Sequence, residues 1–361
     1  MFNFKLNFIF ALAFVAISFG SCTDKNDTVV ETTVEEDKEN IENLFNDVIT
    51  EAQALKGGCA AQAFDNFLNM NQGSALNSNW VELLYNALEA HLGITTYQTG
   101  KFNFASHVGT HTWNIGAQAW NTTSSPTDKI VVEFPEQMGA TTNTVVATAD
   151  YYTDQVVNYN SYQYALPTSF FAAAKVNNEE CISAKLIDAA YDNTSFQIPV
   201  SFEMELKLAP YVFEISATRT APTELNVVLK AKNNGEEKFS LVTDLVFANA
   251  NYQTLDYIQD CESASGEFIF GDFKMPFTAD FKTARSLFNP TNTQVNALFD
   301  ADVFYKGSEI ANLDYAKDAQ GYADVLIVYK DETSEDVETY YNDFLDRLEL
   351  VVVEFTGAWP R

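Results

Sequence analysis

The side chains that most often carry chemistry are sparse in this chain. Three histidines are present, His91, His107 and His111, and no Gly-x-Ser-x-Gly elbow accompanies them, so a serine nucleophile has no marked base or strained turn to activate it. His107-Val-Gly-Thr-His111 has the spacing that converges on one metal only when it is helical. On a strand the two imidazoles stand about 13 Å apart, and Gly109 with its β-branched neighbours points to strand or turn. Asp314, Asp318, Gln320 and Asp324 surround Gly321, but their spacing is not that of a calcium loop, and they read as a solvated acidic turn. No phosphate-binding Gly-rich loop or dinucleotide fingerprint occurs. Ser265-Gly266 reads as a turn. Glu203 and Glu205 alternate with apolar residues and read as solubilising charges. These observations predict a protein that is not an enzyme, with no cofactor and no metal.

Aromatic residues are the one surplus, with 29 Phe, 17 Tyr and 4 Trp. Tyr151, Tyr152, Tyr159, Tyr162 and Tyr164 cluster with Asn158, Asn160 and Gln163. With Trp113 and Trp120 these tyrosines are candidates for presenting rings to a sugar or a protein, against the alternative of a Tyr-rich strand pair. The balance of 50 acidic against 21 basic residues gives a formal charge of -29 and a pI near 4.2. Such a field opposes approach to nucleic-acid phosphates and anionic headgroups, so no nucleic-acid partner is expected.

The N-terminus carries an address. Lys5 precedes an uncharged apolar run from Phe8 to Phe19, shorter than a membrane-spanning helix needs, followed by Gly20-Ser21-Cys22. Phe19-Gly20-Ser21-Cys22 resembles the lipobox of bacterial lipoproteins, with Phe in place of the usual Leu. The resemblance implies a signal peptide over residues 1–21, acylation of Cys22 and a lipid anchor in the outer membrane, at its periplasmic face or the cell surface. Residues 22–40 are polar, acidic and free of aromatics, which predicts a disordered tether. Within it Asp27-Thr28-Val29 resembles the O-glycosylation acceptor of Bacteroidota, making Thr28 the candidate modified residue. Three further cysteines allow at most one bridge. Cys181 with Cys261 is the expected pair, since both flank expected strands while Cys59 follows a helix end; three buried thiols are the alternative.

The elements that must position these residues follow from periodicity. Over residues 41–94, Ile41, Leu44, Phe45, Val48, Ala52 and Leu55 repeat at three and four up to Gly57-Gly58. Phe64, Phe67 and Leu68 mark a second helix, and Asn79 caps a third that carries His91 on its apolar stripe. From residue 95 to 361 the period is two, with helices expected near 178–192, through Cys181, Ile182, Leu186 and Ala189, and near 335–349, capped by Ser334. Strands are expected around Phe102 and Phe104, His111 to Ile115, Ile130 to Phe134, Thr144 to Tyr151 and Val156 to Leu166. Ser201 to Leu208 and Phe273 to Phe281 alternate most cleanly, and Asn233-Asn234-Gly235 supplies a tight hairpin turn. The expected fold is α+β, a large antiparallel sheet whose apolar face is covered by N-terminal and C-terminal helices.

Two segments, Gly109-Thr-His-Thr-Trp113 to Pro135 and Asp302 to Leu313 with Val328-Tyr-Lys-Asp331, are similar to uncharacterised Bacteroidota envelope lipoproteins. Long antiparallel strands wrapped over helices resemble, more distantly, the half-barrel lipid carriers of the bacterial envelope, which implies a strongly curved sheet. The functional expectation is a non-enzymatic envelope lipoprotein binding an apolar or amphipathic ligand, or a partner protein, on its sheet. The alternative is a surface glycan-binding lipoprotein using exposed Tyr and Trp.

Overall fold

The structure is a computed structural model and describes residues 31–60, 103–136, 140–159, 162–192, 199–252, 254–317, 323–337 and 339–340. Cys22, Thr28, His91, the second and third expected helices and the expected C-terminal helix past residue 340 lie outside the described residues. One long helix, α1 (Val34–Gly57), precedes the strands. These are β1 (Gly109–Asn114), β2 (Ala119–Thr123), β3 (Ile130–Phe134), β4 (Val145–Tyr159), β5 (Tyr162–Val176), β6 (Glu179–Ala190), β7 (Ser201–Leu208) and β8 (Tyr211–Ala221). They continue with β9 (Glu224–Asn233), β10 (Glu236–Phe247), β11 (Cys261–Phe270), β12 (Phe273–Asp280), β13 (Phe299–Tyr305), β14 (Ser308–Lys317), β15 (Ala323–Tyr329) and β16 (Ser334–Asp336). Two short helices, α2 (Phe281–Ser286) and α3 (Asn292–Asn296), fall between β12 and β13.

The sixteen strands form one open sheet in the order β16 down to β3, then β1 and β2. From β3 onward the chain is a meander, as the alternation predicts. The sheet is nevertheless mixed, because β1 pairs parallel with β3 while pairing antiparallel with β2. The described elements divide into two compact units, residues 31–53 with 214–340 and residues 54–213.

In the first unit α1 begins earlier than the composition predicts. Residues 34–40 belong to the helix rather than to a tether. Thr33 and Glu36 form a capping box, the Thr33 amide donating to Glu36 at 2.7 Å and the Glu36 amide to the Thr33 hydroxyl at 3.3 Å. Glu35, Glu36 and Asp37 then occupy the first turn, where the helix dipole favours negative charge. Hydrogen bonds from Thr33 hold the Glu36 carboxyl below its ordinary range. The acids that suggested disorder are a helix start. The stripe of Ile41, Leu44 and Phe45 packs against Phe273, Ile310, Ala311, Ile327, Tyr329 and Val337 of the sheet. Ser334, expected as a helix cap, instead opens β16, and the chain turns helical only at 339–340 among the described residues.

In the second unit the expected helix at 178–192 is strand β6, which pairs with β5 and β7. Cys181 and Ile187 are extra residues at two bulges, so the buried positions fall at Cys181, Ser183, Leu186 and Ala189. Leu186 and Ala189 flank the Ile187 bulge, which sets them three apart and counterfeits a helical spacing. Across β6 and β7, Leu208, Leu206, Met204 and Phe202 face Ile182, Ala184, Leu186 and Ala189, while Lys185 faces Glu205.

The expected Cys181–Cys261 bridge is not formed. Cys181 is bonded to Cys59, with Cα atoms 5.3 Å apart, and Cys261 is a buried free thiol whose pKa burial pushes up. The reason is the approach of the segment just past α1. A Cβ on Gly58 would lie 1.9 Å from the Ala209 carbonyl oxygen at the β7–β8 turn, so only glycine lets the backbone come this close. Cys59 and Ala60 then seat beside Val145, Val176 and Cys181.

Candidate functional site

Among the described residues, an open groove of about 540 Å³ lies in the first unit. Its origin is the run Ser263-Ala-Ser-Gly266 in the middle of β11, where small side chains leave a depression. Ser265-Gly266, which reads as a turn in the sequence, is strand. A Cβ on Gly266 would stand 2.1 Å from the Val242 carbonyl oxygen of β10. Register places Ser263 opposite Asp280, Ser265 opposite Thr278, and Thr278 opposite Asp300. On the other side of Ser265 stands Asp244, which accepts from the Asn226 amide at 2.8 Å. A row of short polar side chains, Asn226, Asp244, Ser265, Thr278 and Asp300, therefore crosses five strands, about 19 Å at ordinary strand spacing.

The helices α2 and α3 finish the groove. The Asp280 carboxylate caps α2, accepting from the Thr283 amide at 2.8 Å and from its hydroxyl at 2.7 Å, and these bonds hold its pKa below the usual carboxylate range. Thr291 and Gln294 form a capping box at the start of α3. Asn296 at its end accepts from the Tyr315 amide at 2.7 Å through Oδ1. Its side-chain NH2 keeps two donor positions. No lysine or arginine lines the groove. Beyond it, Tyr257, Ile258 and Phe288 are exposed on the connecting segments, and Arg285 of α2 ties the Ile258 and Cys261 carbonyls at 3.3 and 2.6 Å.

The aromatic candidates are not brought together in this way. Trp113, expected to face a ligand, is 1% exposed: β1 turns Gly109, His111 and Trp113 to its covered side, and the Trp113 ring meets that of Trp120 at 5.3 Å in an edge contact. Trp120 is half-buried by this pairing, so the two rings form packing rather than a platform. Tyr151 on β4 is 40% exposed. Tyr159 pairs with Tyr162, and Val157 with Tyr164, at the end of the β4–β5 hairpin. The side chains of Tyr159, Tyr162 and Tyr164 lie outside the described residues.

His111 is a satisfied core histidine. Its Nε2 donates to the His107 carbonyl at 2.9 Å, which fixes the tautomer, and its Nδ1 accepts from the Thr122 hydroxyl at 3.2 Å. Burial, with His111 close by, lowers the His107 pKa. Asp314 and Asp324 lie in the paired strands β14 and β15. Among the described residues no group of three or more His, Cys, Asp or Glu is placed to hold a metal, and no helix is long and apolar enough to cross a membrane.

The densest set of titratable groups fastens the start of α1 to β15 and β16. Asp37, fully buried, pairs with Lys330 at 3.1 Å, and Lys38 pairs with Glu335 at 2.6 Å. Glu335 also accepts from the Tyr340 hydroxyl at 2.7 Å, and the Tyr340 and Tyr329 hydroxyls are 3.0 Å apart. Lys38 and Tyr340 hold the Glu335 carboxyl below its usual range, while burial and the hydrogen bonds with Tyr329 and Glu335 push the Tyr340 phenol well up. Asp37 also accepts from the Thr32 hydroxyl and Lys330 donates to the Thr32 carbonyl, so the set ties the chain before α1 as well as the helix itself, which is a structural task. No family model, no curated protein and no solved structure matches the chain.

Proposed function

We propose that this chain is a non-enzymatic envelope lipoprotein, anchored through Cys22, that binds a partner at the open surface of its β sheet rather than enclosing a lipid. The observation that carries this reading is the character of the groove over β11 to β13, which is open and lined by Ser, Thr, Asn and Asp together with Ala, Leu298 and Phe299 rather than by a continuous apolar wall. A lipid carrier needs a deep chamber lined by apolar side chains. Here the large apolar residues of the first unit are spent on covering α1 and on packing between strands. The strands beneath the groove are in continuous register, which gives a binding surface that loses little freedom when a partner docks. The signal sequence and Cys22 supply the address. Native mass spectrometry of the chain extracted from membranes tests the reading: the acylated polypeptide should appear without further lipid at any pH, and a stoichiometric lipid adduct would overturn it. The second reading, a glycan-binding lipoprotein, is favoured by the hydroxyl-rich lining of the groove and not by the tryptophans.

A further inference from the structure

The geometry points to a neutral, hydroxyl-rich ligand, a carbohydrate, in the groove of β11, β12 and β13. This inference rests on the surface-binding reading and names the chemistry of the partner. A sugar hydroxyl both donates and accepts, and it is best held by groups that do the same or that alternate in role. Ser263, Ser265 and Thr278 provide three hydroxyls. Asn296 provides donors, because its Oδ1 is occupied by the Tyr315 amide. Asp300 is an exposed acceptor, and a hydroxyl donated to a carboxylate makes a charge-assisted bond.

The same lining disfavours the other ligand classes. Phosphates and other anions meet no lysine or arginine in the groove and a formal charge of -29 on the chain. A basic peptide would need carboxylates it could pair with away from water. Asp280 is committed to the cap of α2, Asp244 accepts from Asn226, and Asp300 stands in solvent where salt screens it. A lipid tail would need depth. Strand alternation turns Ala264, Ala279 and Phe299 to the opposite face of the sheet, so the apolar surface beside the hydroxyls comes from Ala297 and Leu298, which suit the C–H face of a sugar ring. The backbone beneath is two in-register antiparallel ladders, so the polar groups are fixed in advance of binding.

The full-length chain is to be titrated with cello-, malto-, xylo- and N-acetylglucosamine oligomers by saturation-transfer NMR and calorimetry at low and high salt, with tetralysine as the charged comparison. At least one neutral oligomer should bind at millimolar concentration or below, with little dependence on salt. Thr278→Val should weaken that binding about fivefold and Asp300→Ala about tenfold, both with unchanged melting temperature because both side chains are exposed. The inference is overturned if no oligomer binds at millimolar concentration, or if both variants bind as the parent does. It is equally overturned if tetralysine binds instead and salt or Asp300→Ala abolishes that binding, which would assign the groove to a basic segment of a partner protein. A lipid adduct in the mass spectrum would remove the surface-binding reading itself, whereas an adduct-free chain that ignores every sugar would remove only the carbohydrate.

Discussion

In the first unit the start of α1 is fastened to β15 and β16 by two ion pairs and a pair of tyrosine hydroxyls around one glutamate, while in the second the segment just past α1 is fastened to β6 by a cystine. Both join the segment around α1 to the sheet, but they answer to different variables. The Lys38–Glu335 pair responds to pH, and both pairs respond to removal of a partner charge. The cystine responds to reductant and to little else. The difference teaches that one chain can hold the same region by two independent means, stapling one unit covalently and using its abundant acids to organise the other.

Breaking the cystine should have the largest effect. Cys59 and Cys181 are separated by 122 residues, and opening a loop of that size costs about 5 kcal/mol in a chain-entropy account. Cys181→Ser should lower the thermal midpoint of the oxidised protein strongly, and a reductant should lower the parent by the same amount and leave the variant unchanged. Next in size is Lys330→Met, which strands the fully buried Asp37 carboxylate. About 3 kcal/mol should be lost in denaturant titration, at the low end for a buried pair because Lys330 is partly exposed, and adding Asp37→Asn should restore most of it.

A pH titration sharpens the comparison. The Glu335 carboxyl is held below its ordinary range in the folded state, so its contribution to stability is complete above that range and is lost as pH falls through its lowered value. Melting temperatures of the parent and Glu335→Gln should differ at neutral pH and converge in acid, whereas the effect of Cys181→Ser should persist across the same span. The smallest effect belongs to neither fastening. Asn234 and Gly235 both take positive φ in the β9–β10 turn, and Gly235→Ala should cost about 1 kcal/mol in the same assay.

Much of the sheet was legible because its alternation is strict. Phe273, Met275, Phe277 and Ala279 share a face and pair with Phe270, Phe268, Gly266 and Ala264, and Asn233-Asn234-Gly235 makes the turn its composition demands. β6 was not legible, since a bulge at Cys181 and another at Ile187 are set by the partner strands, and neither leaves a mark on its own sequence. The disulfide depended on where Gly58 lets the backbone approach Ala209, a tertiary fact. Two signals were present and unread: Thr33-Val-Glu-Glu36 and Thr291-Asn-Thr-Gln294 both spell capping boxes, one hidden in an acidic run and the other in a loop. The groove was hidden most completely. Ser263-Ala-Ser-Gly266 has the composition of a turn, and only the strands on either side, Leu241 to Val246 and Phe277 to Asp280, make it a floor.

The most direct measurement of the two-fastening account is a peptide map of the oxidised chain under non-reducing conditions. A cross-linked peptide pair containing Cys59 and Cys181, with Cys261 recovered as a thiol only after unfolding, is the result predicted here. A pair joining Cys181 to Cys261, or both recovered as thiols, would contradict it.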